Sequence, residues 1–265
     1  MPNFKAYLNS KSHHCTIWLV AFSIFTFSGV DSKTADARDE TVSKFAADVT
    51  VHVVLHELAH ALVREFDLPI LANEETLADA FATYYLTTYL PDRAFDVLNA
   101  RIKSLMIEAK AVPKADWEFN GEHNHDARRA YQIAALALAA DDQKYADLAA
   151  LADMTENDIK RARDYGTEIH RSWRRILKPL LMPGDTESKE VRFEFDGSNP
   201  IIKQLKSQKA MQEMERAIRR FDWHSQVTLS FAEGEGGAGW NRSRRKITVY
   251  SEYIARFIRH GSLAK

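Results

Sequence analysis

The chain has 265 residues, 45% hydrophobic and 28% charged, enough for one sizeable core or a core with an appendage. Its formal net charge of -1 gives no global attraction for nucleic acid or an anionic membrane surface, so no nucleic-acid partner is expected. The single cysteine, Cys15, excludes a disulfide framework.

Lys5 and Lys11 precede an uncharged run from Cys15 to Val30. Val30-Asp31-Ser32 and the A-x-A-like Ala35-Asp36-Ala37 follow. That is the layout of a secretory signal peptide, here residues 1–37. The run falls short of the ~20 residues a spanning helix needs. The expected location is therefore periplasmic or secreted, with an uncleaved leader as membrane anchor the alternative. Removing the leader takes Cys15 with it, and any metal must then be held by imidazole and carboxylate.

Residues 38–181 read as helical. A first helix, Thr41–Glu65, stops before Asp67-Leu68-Pro69. It carries Val53-Val54-Leu55-His56-Glu57-Leu58-Ala59-His60-Ala61-Leu62, an HExxH segment with uncharged flanks. Helix positions four apart lie about 40° apart around the axis and about 6 Å along it. His56 and His60 can therefore close on one zinc ion, while Glu57 on the neighbouring flank reaches a water without ligating the metal. Two unpaired imidazoles on so apolar a helix would be costly to bury, which counts against a chance motif.

A second helix, from about Asn73 to Leu90, opens Asn73-Glu74-Glu75-Thr76-Leu77-Ala78-Asp79 and is closed by Pro91. Catalytic zinc commonly takes three protein ligands and leaves a fourth position for water. The glycine and third histidine of a three-histidine site are replaced by Val63 and Phe66, so the third ligand should be a carboxylate. If the second helix runs antiparallel to the first, Glu75 could be that ligand. Asp79, one turn on, could accept the other N–H of a ligand histidine. Glu74 competes with Glu75, and acidic residues also favour a helix's first turn for dipole reasons alone.

Ala94–Lys110 reads as a third helix, followed by a wet stretch from Val112-Pro113 to Asp126. A donor there could stabilise the tetrahedral intermediate. His123 is the first choice and His125 the second, with Asp126 or Arg129 to orient it. Arg128–Leu151 form an alanine-rich fourth helix. The fifth opens on a capping box, Thr155-Glu156-Asn157-Asp158, and ends near Pro179. Its seam of Ile159, Ala162, Gly166, Ile169, Trp173 and Ile176 reads as core, and the basic Arg171, Arg174, Arg175 and Lys178 as a solvated face.

After Leu181 the pattern changes to a strand (Val191–Phe195), an amphipathic helix (Ile201–Phe221), two strands (Val227–Phe231 and Lys246–Tyr250) and a terminal helix (Glu252–Arg259). The loop between the last two strands contains Gly234-Glu235-Gly236-Gly237-Ala238-Gly239, formally G-x-G-x-x-G. No helix opens after it, so it reads as a flexible hairpin loop and not a nucleotide site. The fold class expected is mainly α with a small β part (α+β): a zincin-like helical metal site with a C-terminal β-hairpin or sheet. Residues 38–181 form the core, and 182–265 pack on the metal helix.

Val53–Leu62 with Glu75-Thr76-Leu77-Ala78-Asp79 resembles the gluzincin arrangement of thermolysin-like peptidases. More closely, it resembles a bacterial metallopeptidase family of unknown function. Members pair an HE-x-(G/A)-H helix with a following L-P and an E-E-x-x-A-D helix. The similarity continues through Glu122-His123-Asn124-His125-Asp126-Ala127-Arg128-Arg129-Ala130-Tyr131 and reaches Tyr165 and Ser172-Trp173, covering most of 50–181. Members often carry cysteines in the later helices and a glycine where this chain has Ala59; this chain departs on both counts.

The resemblance implies a peptidase. The residues permit metal-assisted hydrolysis of a peptide or protein by one Zn²⁺ on His56, His60 and Glu75, with Glu57 as proton carrier. Peptidases of this kind bind substrate along a sheet edge, which must here come from the C-terminal strands. The rival reading is a non-catalytic, zinc-stabilised helical binding protein, against which the retained Glu57 counts.

Overall fold

The computed structural model describes residues 32–69, 73–112 and 125–264, apart from the side chains of residues 32–43. Helix α1 (Ser32–Glu65) runs through the middle of the fold and begins nine residues before the expected Thr41. From Ala46 to Val63 nearly every side chain is buried, whichever way it points. Lys44–Glu65 has the length and apolar character of a membrane-crossing helix, but here other parts of the protein cover it. A helix apolar all round needs neighbours on every side. Those neighbours are α2 (Glu74–Tyr89), α3 (Pro91–Ala111), α8 (Lys209–Arg219), β3 (Ala238–Asn241), β4 (Lys246–Tyr250) and α9 (Ser251–Leu263).

The ends of these helices follow local chemistry. After Glu65 the chain turns through Asp67 in the left-handed region (φ 49°), and Leu68 N–H bonds back to the Val63 carbonyl at 3.0 Å. Asn73 caps α2 by accepting from the Thr76 N–H at 3.0 Å. Pro91 both closes α2 and occupies the first turn of α3, where its missing N–H costs nothing. The single helix expected over Arg128–Leu151 is two, α4 (Asp126–Ala140) and α5 (Ala146–Leu151). Asp141 breaks it, its carboxylate accepting from the backbone of Gln143 (3.2 Å) and Lys144 (2.9 Å) in competition with the helix. Helix α6 (Glu156–Leu177) starts on the full Thr155/Asp158 capping box. Gly166 lets α6 close on α4: a Cβ there would sit 2.4 Å from that of Ala139.

The C-terminal part holds β1 (Val191–Phe195), α7 (Pro200–Lys206) and β2 (Val227–Ala232) besides the elements already placed. The helix expected over Ile201–Phe221 divides into α7 and α8 at Ser207 and an extended Gln208. The sheet has the order β1-β2-β4-β3; β1, β2 and β4 are parallel, and β3 is the antiparallel edge. The two expected strands thus do not form a hairpin with each other. The hairpin is β3–β4, and part of the glycine-rich loop is the strand β3 itself. Gly234 and Gly236 adopt φ near 140° beside the Tyr250 ring, and the chain runs on into β3, not into a helix.

This C-terminal part encloses α1. Gly261 of α9 meets Phe45, while Phe257 packs with Ala46, Val49 and Val53. Arg93 of α3 bridges Asp48 of α1 and Glu213 of α8. Arg245, just before β4, binds Glu65 at the end of α1 at 3.2 Å.

Candidate metal centre

The HExxH segment sits in the second half of α1, with His60 more than one turn before the helix ends at Glu65. The first two turns of α2 lie against it. Glu74 meets His60, Glu75 meets both histidines, and Asp79 meets His56. Later residues of α2 thus meet earlier ones of α1, so the two helices are antiparallel.

Three donor groups converge. His56 Nε2 and His60 Nε2 are 3.2 Å apart. Glu75 Oε2 lies 3.0 Å from His56 Nε2, and Oε1 lies 3.3 Å from His60 Nε2. Ligands bound at about 2.0–2.1 Å around a tetrahedral ion are separated by about 3.3 Å. The observed spacings match that requirement. The three residues are the group among the described residues that could hold a metal ion.

The far sides of both rings decide their tautomers. His56 Nδ1 is 2.8 Å from Asp79 Oδ1, and His60 Nδ1 is 2.9 Å from Glu74 Oε1. A carboxylate only accepts, so each Nδ1 carries the proton it donates. In the neutral rings each Nε2 therefore presents a lone pair towards the other and towards Glu75. Three electron pairs facing one point attract a cation.

The protonation equilibria show the same pull. Burial alone would lower His60, but the hydrogen bonds to Glu75 and Glu74 outweigh it and raise the ring to about 9. His56 is likewise raised against its burial by Asp79 and Glu75. Burial would raise Glu75, yet the two histidines hold it well below the usual carboxylate range. A proton and a metal ion compete for this point, so loading a metal releases protons.

Glu57 is 8% exposed and lies close enough for its charge to act on His60. Asp79 is buried and shared: Arg129 of α4 donates to it from Nε (2.7 Å) and Nη2 (2.9 Å). Despite burial, which would raise it, Arg129 and His56 keep Asp79 well below the normal range. Arg129 is thus an anchor for Asp79 and not the orienting partner of His125. His125 itself caps α4, its Nδ1 accepting from Ala127 N–H at 3.3 Å. His123 lies outside the described residues.

Two contributions were not assigned from sequence. Glu74, weighed there as a rival ligand, instead faces away from the cluster and joins His60 to Arg64. Arg64, one turn beyond His60, was the available sign that an acid would be held there. Arg129 is itself buried, and nothing in the run Ala127-Arg128-Arg129-Ala130 names its partner.

No curated protein and no solved structure matches the chain. A family does match, over residues 4–177: DUF4344, described as "Putative metallopeptidase". That description agrees with a metal-dependent hydrolase. With more than half of its length matched, the chain belongs to this metallopeptidase-like family, DUF4344.

Proposed function

We propose that the protein is an exported zinc metallopeptidase with His56, His60 and Glu75 as ligands and Glu57 as the proton carrier. The observation that carries this is the convergence of the two Nε2 atoms and the Glu75 carboxylate at tetrahedral spacing, with both Nδ1–H groups committed to carboxylates. Two imidazoles and one carboxylate suit zinc better than magnesium or calcium, which prefer all-oxygen sites. When bound, the ion would supply Lewis-acid chemistry, acidifying a water and polarising a carbonyl.

The chain's own groups do the rest. Asp79 and Glu74 fix the ring orientations, and Arg129 holds Asp79 ionised. Glu57, adjacent to the ligands in sequence and close to them in space, accepts the proton of the attacking water and delivers it to the leaving amine.

The edge strand supports a peptide substrate. Ala238 pairs with Val249 and packs near Val53, while Asn241 pairs with Lys246, next to the Arg245–Glu65 ion pair. Strand β3 therefore runs beside the stretch of α1 that holds His56, Glu57 and His60, and an extended peptide could add along its free edge.

The test combines metal analysis of the full chain with a peptide-library assay on wild type, Glu57→Gln and Glu75→Ala. Zinc retained but hydrolysis lost in Glu57→Gln, with zinc lost in Glu75→Ala, is the expected pattern. Zinc bound without hydrolysis of any library member would favour the non-catalytic, zinc-stabilised reading. Export is checked by N-terminal sequencing of protein recovered outside the cytoplasm; a start near residue 38 is expected.

A further inference from the structure

Two buried polar side chains near the metal helix find no hydrogen-bond partner among the described residues. His52 lies one turn before His56 on the same face of α1, fully buried, with both ring nitrogens unpaired. Arg101 of α3 is 2% exposed, and its Nε and Nη1 are unpaired. The two share one environment. Burial drives His52 well below its usual pKa, and the charges of Asp79 and Arg101 both act on it. The charge of Arg101 also reaches Asp126 and His260.

Among the described residues no carboxylate is hydrogen-bonded or ion-paired to Arg101, although the Asp126 carboxyl lies within reach of its charge. Asp79 is taken up by His56 and Arg129. Glu108 faces Arg256 at 3.4 Å, and Ser104 is paired with His260 Nδ1 at 2.9 Å. Buried guanidinium donors that find no acceptor are costly for a fold to hold. Guanidinium and imidazole donors together are the chemistry that receives a carboxylate.

We propose that Arg101 and His52 form a carboxylate-binding subsite beside the metal centre, which takes the free C-terminus of a peptide substrate. The inference rests on the metallopeptidase reading above and deepens it: the protein would trim peptides from the carboxyl end. His52 stands about 5.4 Å along α1 from His56, one helical turn. An extended peptide covers about 3.3–3.6 Å per residue. A carboxylate held here would thus present a bond one or two residues from the chain end to the metal ligands.

The experiment titrates the full-length protein, with and without a metal chelator, with three N-acetylated dipeptides. One has a free C-terminus, the second is its amide, and the third is an amide carrying an aspartate side chain. Wild type should bind the free acid in both conditions and bind neither amide. Arg101→Met should weaken the free acid by on the order of a hundredfold, since it removes one partner of a buried charge pair. Arg101→Lys should recover part of that loss.

Arg101→Met should also melt higher than wild type without ligand, because it removes buried donors that find no acceptor. A lower melting temperature would make Arg101 a structural residue and overturn the proposal. Equal binding of acid and amide, or undiminished binding by Arg101→Met, would do the same. An aspartyl amide bound as tightly as the free acid would refute C-terminal recognition. Hydrolysis of amidated and free peptides alike, unaffected by Arg101→Met, would sink the subsite and leave the peptidase standing. Arg101-dependent binding with no hydrolysis would support the subsite and sink the peptidase.

Discussion

Asparagine in place of Asp79 keeps the side chain's shape and removes its charge. The native carboxylate accepts from His56 Nδ1 (2.8 Å), Arg129 Nε (2.7 Å) and Arg129 Nη2 (2.9 Å). Asparagine offers one acceptor oxygen, and its amide nitrogen is a donor set against another donor. The Arg129 side chain, 9% exposed, then loses its buried counter-charge. Breaking such a pair from one side costs about 3–5 kcal/mol. In a chain of this size each kcal/mol is worth about 2–4 °C, so Asp79→Asn should lower the melting temperature by about 6–20 °C.

His56 loses its orienting acceptor as well, which should weaken metal binding about 10–100-fold. Adding Arg129→Met removes the stranded cation. The double variant should therefore be more stable than the two single losses predict, by about 1–3 kcal/mol. The assay is denaturant and thermal unfolding in chelator, beside a competitive zinc titration. An Asp79→Asn protein within about 1 kcal/mol of wild type, or losses that add to within about 0.5 kcal/mol, would refute Asp79 as the shared buried acceptor.

The two adjacent glutamates should separate cleanly. Glu74→Gln keeps an acceptor for His60 and should cost about tenfold in zinc affinity, whereas Glu75→Gln removes a proposed ligand and should abolish stoichiometric binding; equal effects in the zinc titration would mean the roles are misassigned. Gly166→Ala should destabilise by about 1–3 kcal/mol, more than the helix-propensity gain of about 1 kcal/mol, because its Cβ meets Ala139. Ala139→Gly should restore part of that loss in thermal melts, and failure to do so would place the strain elsewhere. His52 is kept neutral in the fold by burial, well below its ordinary 6.5. Below pH 6.5 the unfolded chain takes a proton that the folded ring refuses, so stability falls with pH by up to about 1.4 kcal/mol per unit. His52→Leu should flatten the urea-derived stability profile between pH 6.5 and 5, and an unchanged slope would contradict the buried neutral ring.

What could be read from the sequence was what short-range chemistry decides. The HExxH face, the Asn73 cap, the Thr155/Asp158 capping box and the prolines all act within one or two turns, and their elements lie where the patterns put them. The breaks at Asp141 and Ser207 were missed because a local side-chain turn competes there with a run of otherwise acceptable helix residues. Strand β3 was missed for the opposite reason. Ala238-Gly239-Trp240-Asn241 has little strand propensity of its own, and pairing with β4 makes it a strand. At the site, the position of Glu75 followed from helix spacing, but the parts of Glu74 and Arg129 depend on contacts across 14 and 50 residues. Arg64 is a local hint of the first, and no local pattern encodes the second.

These long-range polar contacts also bear on how α1 is set in the fold. An apolar cylinder among apolar neighbours can rotate or slide with little change in buried area. A buried charge cannot, because leaving it unpaired costs several kcal/mol. Along α1, Asp48 pairs with Arg93 on α3, His56 with Asp79 on α2, His60 with Glu74 on α2, and Glu65 with Arg245 beside β4. Only one rotation and one height satisfy all four. The bonds that aim the two imidazoles at Glu75 are thus among those that fix the register of the central helix. Substitutions that loosen the metal centre should loosen the packing of α1, and the Asp79 variants report both at once.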